Sequence, residues 1–203
     1  MKKGFDTAIR LAGSAGCLVD AGYAFAGRYY NINNPAKNLT LNEAKVLCAA
    51  GLSLIAIWEN GYPTSAGYFS HDQGVKDGTA AFQYGSQTIG QPGFTPIYFT
   101  VDYDATPDDL NGVITDYFKG IQDGFNAAGS NYLIGVYGSG LTCQTLQNAN
   151  LAAKYWLAQA MNWRGSSTYT AYDMIQAMQV LECGDVEGDP NSSPNDTEGA
   201  YKV

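Results

Sequence analysis

Short apolar runs, each ending in a polar or acidic residue, alternate along this chain with stretches of helical spacing. The clearest run extends from Thr95 to Ala105. Ile97, Phe99 and Val101 are β-branched or aromatic, Gly93 and Pro96 punctuate the start, and apolar residues fill consecutive positions, as in a strand buried on both faces. The run stops at Asp102. Side chains two apart on a strand share a face, so Asp102 and Asp104 point at one ligand if strand geometry persists through Tyr103. The competing reading makes Asp104 the start of a turn leading into a helix that opens at Thr106 to Asp109.

The same alternation predicts the other elements. Lys3 to Thr7 reads as a very short first strand with Asp6 at its end, and Phe25 to Tyr30 as a second. Arg28 near the end of the second strand neutralises an acidic face or binds there, with Tyr29 or Tyr30 lining the same region. Thr40 and Glu43 match a capping box that starts a helix running to Ala50 and stopping at Gly51. Leu52 to Glu59 is a third strand whose charge is held to the end. A long loop from Tyr62 to Gly78, holding His71 and Asp72, precedes a helix over about 75–89. Leu110, Val113, Ile114, Tyr117, Phe118, Ile121 and Phe125 recur at helical spacing and form a core-facing stripe. Further strands are expected at Asn131 to Gly138, Lys154 to Ala160 and Met174 to Leu181, with a short last element near Val186 to Asp189.

Strands alternating with helices call for a mostly parallel sheet. An open nucleotide-binding sheet needs a glycine-rich first turn, and Gly13 to Gly16 lacks the required spacing. A barrel instead gathers its chemistry at the carboxyl ends of several strands, where Asp6, Glu59, Asp102, Asp104, Tyr137, Gln159 and Gln179 all fall. The expected fold is therefore an α/β, compact (β/α) TIM-type barrel, incomplete or irregular, with helices missing or shortened. The barrel domain is placed at 1–189, and the Pro-, Asn- and Ser-rich residues 190–203 are read as a C-terminal tail or loosely docked end.

Composition narrows the function. Of 203 residues 45% are apolar and only 15% charged, which argues against disorder, and a formal charge of -8 with a single histidine weighs against a nucleic-acid surface or a histidine-based site. No apolar segment is long enough to span a bilayer and no signal-peptide pattern stands at the start. No cofactor fingerprint is present and no calcium-type loop supports cation binding by the acids, so no cofactor or metal is expected. Cys17, Cys48, Cys143 and Cys183 are too far apart for local zinc spacing. One or two disulfides are compatible with them, but without an export signal free buried thiols are the preferred reading.

Gly4-Phe5-Asp6-Thr7, Gly27-Arg28-Tyr29-Tyr30 followed by Lys37 and Leu39-Thr40, Asp77-Gly78, Ile97 to Asp104, and Gly135-Val136-Tyr137 occur in an order that resembles a glycoside-hydrolase-like TIM-barrel domain family related to the family 25 lysozymes. The resemblance runs from the first residues to about Gln179. It implies a muramidase- or endolysin-like hydrolase acting on peptidoglycan, with bacterial cell-wall glycan as the partner and action at the wall after release or export by another route; a monomer is expected. By position, the resemblance matches Asp6 to the first-strand acid of the related family 25 lysozymes, Asp102 and Asp104 to their central Asp-x-Glu pair, and Asp189 to their late aspartate. Asp104 is one methylene shorter than the glutamate expected as general acid, which makes Glu59 the second candidate for that role. Arg28, Tyr137, Trp156, Gln159, Gln179 and Asp189 are the expected substrate-binding residues, with Trp156 equally readable as core. The alternative function is a catalytically inactive carbohydrate- or wall-binding domain on the same fold.

Overall fold

The computed structural model describes residues 1–177, 183 and 186–203. Eight strands close a barrel in sequence order: β1 (Lys2–Asp6), β2 (Tyr23–Tyr30), β3 (Ser53–Trp58), β4 (Pro96–Thr100), β5 (Leu133–Gly138), β6 (Lys154–Leu157), β7 (Met174–Gln176) and β8 (Asp189–Ser193). Strands β1 to β7 run parallel, whereas β8 pairs antiparallel with both β7 and β1. Helices α1 (Ala15–Asp20), α2 (Leu41–Ala50), α3 (His71–Gln83), α4 (Pro107–Asp109), α5 (Thr115–Ala127) and α6 (Gly140–Asn148) lie between successive strands up to β6. The connection from β6 to β7 is made of turns, which is the irregularity expected of so short a barrel.

Local chemistry explains the helix limits. The Thr40 side chain accepts from the Glu43 N–H, and Gly51 ends α2 in the left-handed conformation at φ 116°. Thr106 and Asp109 form a full capping box with Pro107 in the first turn. The sequence places the helix before β4 at 75–89; it begins earlier, at His71, because Ser70 caps it by accepting from the Gln73 N–H. Helices α3 and α5 touch backbone to backbone: a Cβ added at Gly74 would lie 2.0 Å from the Tyr117 carbonyl oxygen, and one at Gly120 would lie 2.1 Å from that of His71.

Two cores follow from strand parity. Ile97, Phe99 and Val101 point outward to the helices with the main core, while Phe25, Ile55, Ile57, Tyr98, Trp156 and Met174 fill the barrel. Small residues make room for large ones in register: Gly4 opposes Phe25, and Gly135 opposes Tyr98. Above this packed layer the inward positions turn polar, at Asp6, Tyr29, Thr100, Tyr137 and Gln176.

The closing segment differs from the expected tail. Asp189–Ser193 supplies β8 and completes the barrel, and Tyr201 is buried and bridges to Leu54 through backbone hydrogen bonds. Tyr98 donates to the Glu198 carbonyl at 2.8 Å, so the chain after β8 closes the floor of the barrel. Ring closure also brings α1 beside the segment before β8, where Cys17 and Cys183 are disulfide-bonded, while Cys48 and Cys143 are free. This corrects the preference for free thiols at Cys17 and Cys183. No helix among the described residues is long and apolar enough to cross a membrane.

Candidate active site

A cavity of about 220 Å³ opens at the carboxyl ends of the strands. Asp6, Glu59, Asp102, Tyr137, Trp156, Gln159 and Asp189 line it, and so do Tyr29, Ile57, Thr100 and Gln176. A second hollow of about 220 Å³ adjoins it, sharing Asp6, Tyr29 and Asp189. A larger hollow of about 400 Å³ lies around Phe125, Tyr132 and Leu151 and is lined by no charged residue, so the acid chemistry belongs to the strand ends.

Asp6 is the centre of the polar layer. It is 3% exposed, and its Oδ2 accepts from Asn191 Nδ2 at 2.7 Å and Gln176 Nε2 at 3.1 Å, while Oδ1 accepts from the Tyr29 hydroxyl at 3.3 Å. Two of these donors are themselves oriented: Tyr137 donates to Gln176 Oε1 at 2.9 Å, and Trp156 Nε1 donates to Asn191 Oδ1 at 2.8 Å. Burial raises the Asp6 carboxyl to about 7, with the neighbouring charge of Asp189 adding to the rise and the three donors opposing it. Burial also raises Asp102, an effect that the Lys37 ammonium opposes and Asp189 reinforces. The Tyr137 hydroxyl is held in its protonated form by burial and by the surrounding carboxylates.

Two sequence-expected site residues stand elsewhere. Asp104 is outside the cavity: β4 ends at Thr100, the Asp102 N–H is taken by the Pro63 carbonyl at 2.9 Å, and the chain bends at Tyr103, whose ring stacks on Phe69. Strand geometry therefore does not reach Asp104, which accepts from the Arg164 N–H at 2.8 Å and pairs with its guanidinium at 2.5 Å. Arg28 is fully buried on the outward face of β2, pairing with Glu43 at 2.9 Å and donating to the Thr7 carbonyl, so it supports the scaffold and does not bind at the cleft. Gln179 lies outside the described residues. Glu59 is in the cavity but is ion-paired with Lys37. Trp156 is both things considered for it: 2% exposed, packed edge-on to Tyr98 and Tyr137, yet with an edge on the cavity.

Gln176 and Asn191 are the contributors that sequence reasoning missed. Asn191 stands two positions from Asp189 and so shares its face, a usable signal had β8 been read as a strand. Among the described residues no group of three or more His, Cys, Asp or Glu side chains is arranged to hold a metal ion.

A closed eight-stranded barrel with carboxylates gathered at its strand ends is a TIM-type barrel whose candidate chemistry lies at the carboxyl ends of the strands. The chain belongs to the Rv2525c-like, glycoside hydrolase-like domain family, whose model matches residues 16–189. It is 33% identical over 174 residues to the uncharacterized protein FadG of Bacillus subtilis, covering 80% of this chain and 30% of that protein, so the chain spans less than a third of that relative. In fold it is similar to the Tat-secreted protein Rv2525c of Mycobacterium tuberculosis, solved in complex with HEPES (TM-score 0.80, 21% identity, 98% of each chain). It is also similar in fold to the modular autolysin LytC of Streptococcus pneumoniae, solved with a synthetic peptidoglycan ligand (TM-score 0.63, 15% identity, 94% of this chain and 46% of that one). Muramidases and lysins are thus among its neighbours in fold.

Proposed function

We propose that this chain is a glycoside hydrolase cutting the glycan of bacterial peptidoglycan, with Asp6 as the proton donor and Asp102 as the carboxylate facing the reacting carbon. The observation that carries the proposal is Asp6 itself: a carboxyl buried at the meeting point of two hollows and beside other acids, where burial favours its protonated form. Glycoside cleavage needs a protonated carboxyl at the leaving oxygen and a second group facing an oxocarbenium-like centre, and like charges in one site separate those roles.

In this scheme the Asp6 proton sits on Oδ1, because Oδ2 already accepts two amide hydrogens while Oδ1 carries only the long Tyr29 contact. The proton passes to the glycosidic oxygen as the bond from that oxygen to the sugar carbon breaks. Asp102, half-buried across the cavity, stabilises the positive centre with Asp189. A water then adds to that centre and returns a proton to Asp6. Gln159 binds hydroxyl or acetamido groups, and Tyr137 offers a ring edge to the sugar. The glycosidic bond as target is supported by the glycoside hydrolase-like family, and the wall glycan as substrate by neighbours in fold such as LytC, solved with a synthetic peptidoglycan ligand.

A second function, carbohydrate binding without cleavage, is favoured by one observation: Asp104, the residue matched to the general acid of the family 25 lysozymes, is turned out of the cavity onto Arg164. Reducing-end release from purified peptidoglycan separates the two. Release by the wild type that is lost in Asp6→Asn and Asp102→Asn supports hydrolysis; retention of glycan without release supports binding.

A further inference from the structure

Lys37 lies on the segment between β2 and α2, held there by the Asn38 side chain, which accepts from the Asn31 N–H, and by the Leu39 N–H bonding to the Tyr29 carbonyl at 2.9 Å. Its side chain leans back over the cleft. The ammonium is 3.8 Å from the centroid of the Tyr29 ring and is ion-paired with Glu59, with both charged side chains about one-fifth exposed. Tyr29 in turn donates to Asp6. A single cation thus joins an acid at the end of β3 to the aromatic ring that contacts the acid at the end of β1, and its field reaches Asp102 at the end of β4. The neighbouring cations cannot substitute for it: Arg28 is engaged by Glu43 behind the sheet, and Arg164 by Asp104 outside the cavity.

We propose that Lys37 is a positioning residue of this cleft, fixing Glu59 and Tyr29 and placing its charge so that Asp102 works as the carboxylate while the proton stays on the Asp6 side. The physical reason is differential. A cation in a partly desolvated site acts more strongly than in water, and it favours the charged form of the acids it faces. Asp102 also faces Asp189 from β8 and Tyr137 from β5, neither of which supplies positive charge, so Lys37 is the group that opposes the rise caused by burial. Asp6 accepts three hydrogen bonds, from Asn191, Gln176 and Tyr29, that oppose its rise, but it faces the Asp189 carboxylate and no cation. Lys37 thereby separates two acids that burial pushes in the same direction. Its grip on the Tyr29 ring is a cation–π contact.

The test is a carboxyl-carbon NMR titration of the wild type, Lys37→Met, Lys37→Gln and Lys37→Arg, with Asp6→Asn and Asp102→Asn used to assign the two resonances. The expected result is that the Asp102 midpoint moves to higher pH in both neutral variants and returns in Lys37→Arg, while folding measured by far-ultraviolet circular dichroism is unchanged. An Asp102 midpoint that stays put or falls in either folded neutral variant overturns the proposal. Its assignment of roles rests on the hydrolase proposal, but the titration requires no glycan cleavage, so an inactive wild type refutes the hydrolase and leaves the titration to decide on Lys37. If the wild type does release reducing ends, the acid limb of its pH–rate profile should move to higher pH in Lys37→Gln, a displacement that a merely structural lysine would not produce.

Discussion

Replacing Asp6 by asparagine should stabilise the protein while removing its chemistry, and the gain should depend on pH in a defined sense. In the folded chain the Asp6 carboxyl keeps its proton up to about pH 7, whereas an ordinary aspartate releases it near 3.8. Between those values the folded state holds the extra proton, so raising the pH costs the folded state stability, and the cost is complete above pH 7. The interval corresponds to about 4 kcal/mol at 1.36 kcal/mol per pH unit, an upper bound that relaxation reduces to a few kcal/mol. Asparagine keeps most of the network: its oxygen accepts from Asn191 and Gln176 in place of Oδ2, and its amide donates to the Tyr29 oxygen. For a chain of this size each kcal/mol moves Tm by about 2–4 °C, so Asp6→Asn should melt roughly 5–10 °C above the wild type at pH 8. The difference should shrink steadily below pH 7 and vanish near pH 4. Thermal unfolding followed by circular dichroism from pH 4 to 8 measures it. A gain that is absent at pH 8, or equally large at pH 4, refutes the reasoning.

Arg28→Met leaves the Glu43 carboxylate buried without its partner and should cost about 3–5 kcal/mol in denaturant unfolding, marking Arg28 as scaffold. Gly120→Ala forces a Cβ into the His71 carbonyl at the α3–α5 contact and should lower stability by about 1–3 kcal/mol, read as a shift in the urea midpoint. Thiol titration of the oxidised protein should find two reactive groups under denaturing conditions and four after reduction, and reduction should cost about 2–4 kcal/mol of stability.

The barrel was legible because its signal is local and repeated: apolar runs of strand length, polar tips and capped helices. Acids at the tips of β1, β3 and β4 could be assigned to one end of the sheet without knowing any contact. Arg28 shows a signal that was present but outweighed, since Tyr29 facing inward requires Arg28 to face outward. Asp104 is a different case. Its direction depends on a backbone bend at Tyr103, set by contacts with Pro63, Phe69 and Arg164 that are distant in sequence, and a local pattern carries none of that. The strand β8, Asp-Pro-Asn-Ser-Ser, has no apolar face to announce it. It becomes a strand because ring closure offers it backbone partners on both edges, and Asn191 arrives at Asp6 with it. The Cys17–Cys183 bond spans 166 positions and follows from the same closure.

The central claim is that the carboxylates at the strand ends break glycosidic bonds. Incubating the wild type, Asp6→Asn, Asp102→Asn and Asp104→Asn with purified peptidoglycan and quantifying new reducing ends tests it directly. Release by the wild type is expected, with loss of at least about 100-fold in Asp6→Asn and Asp102→Asn and near-wild-type release in Asp104→Asn, whose side chain lies outside the cavity. No release by the wild type, or undiminished release by Asp102→Asn, contradicts it.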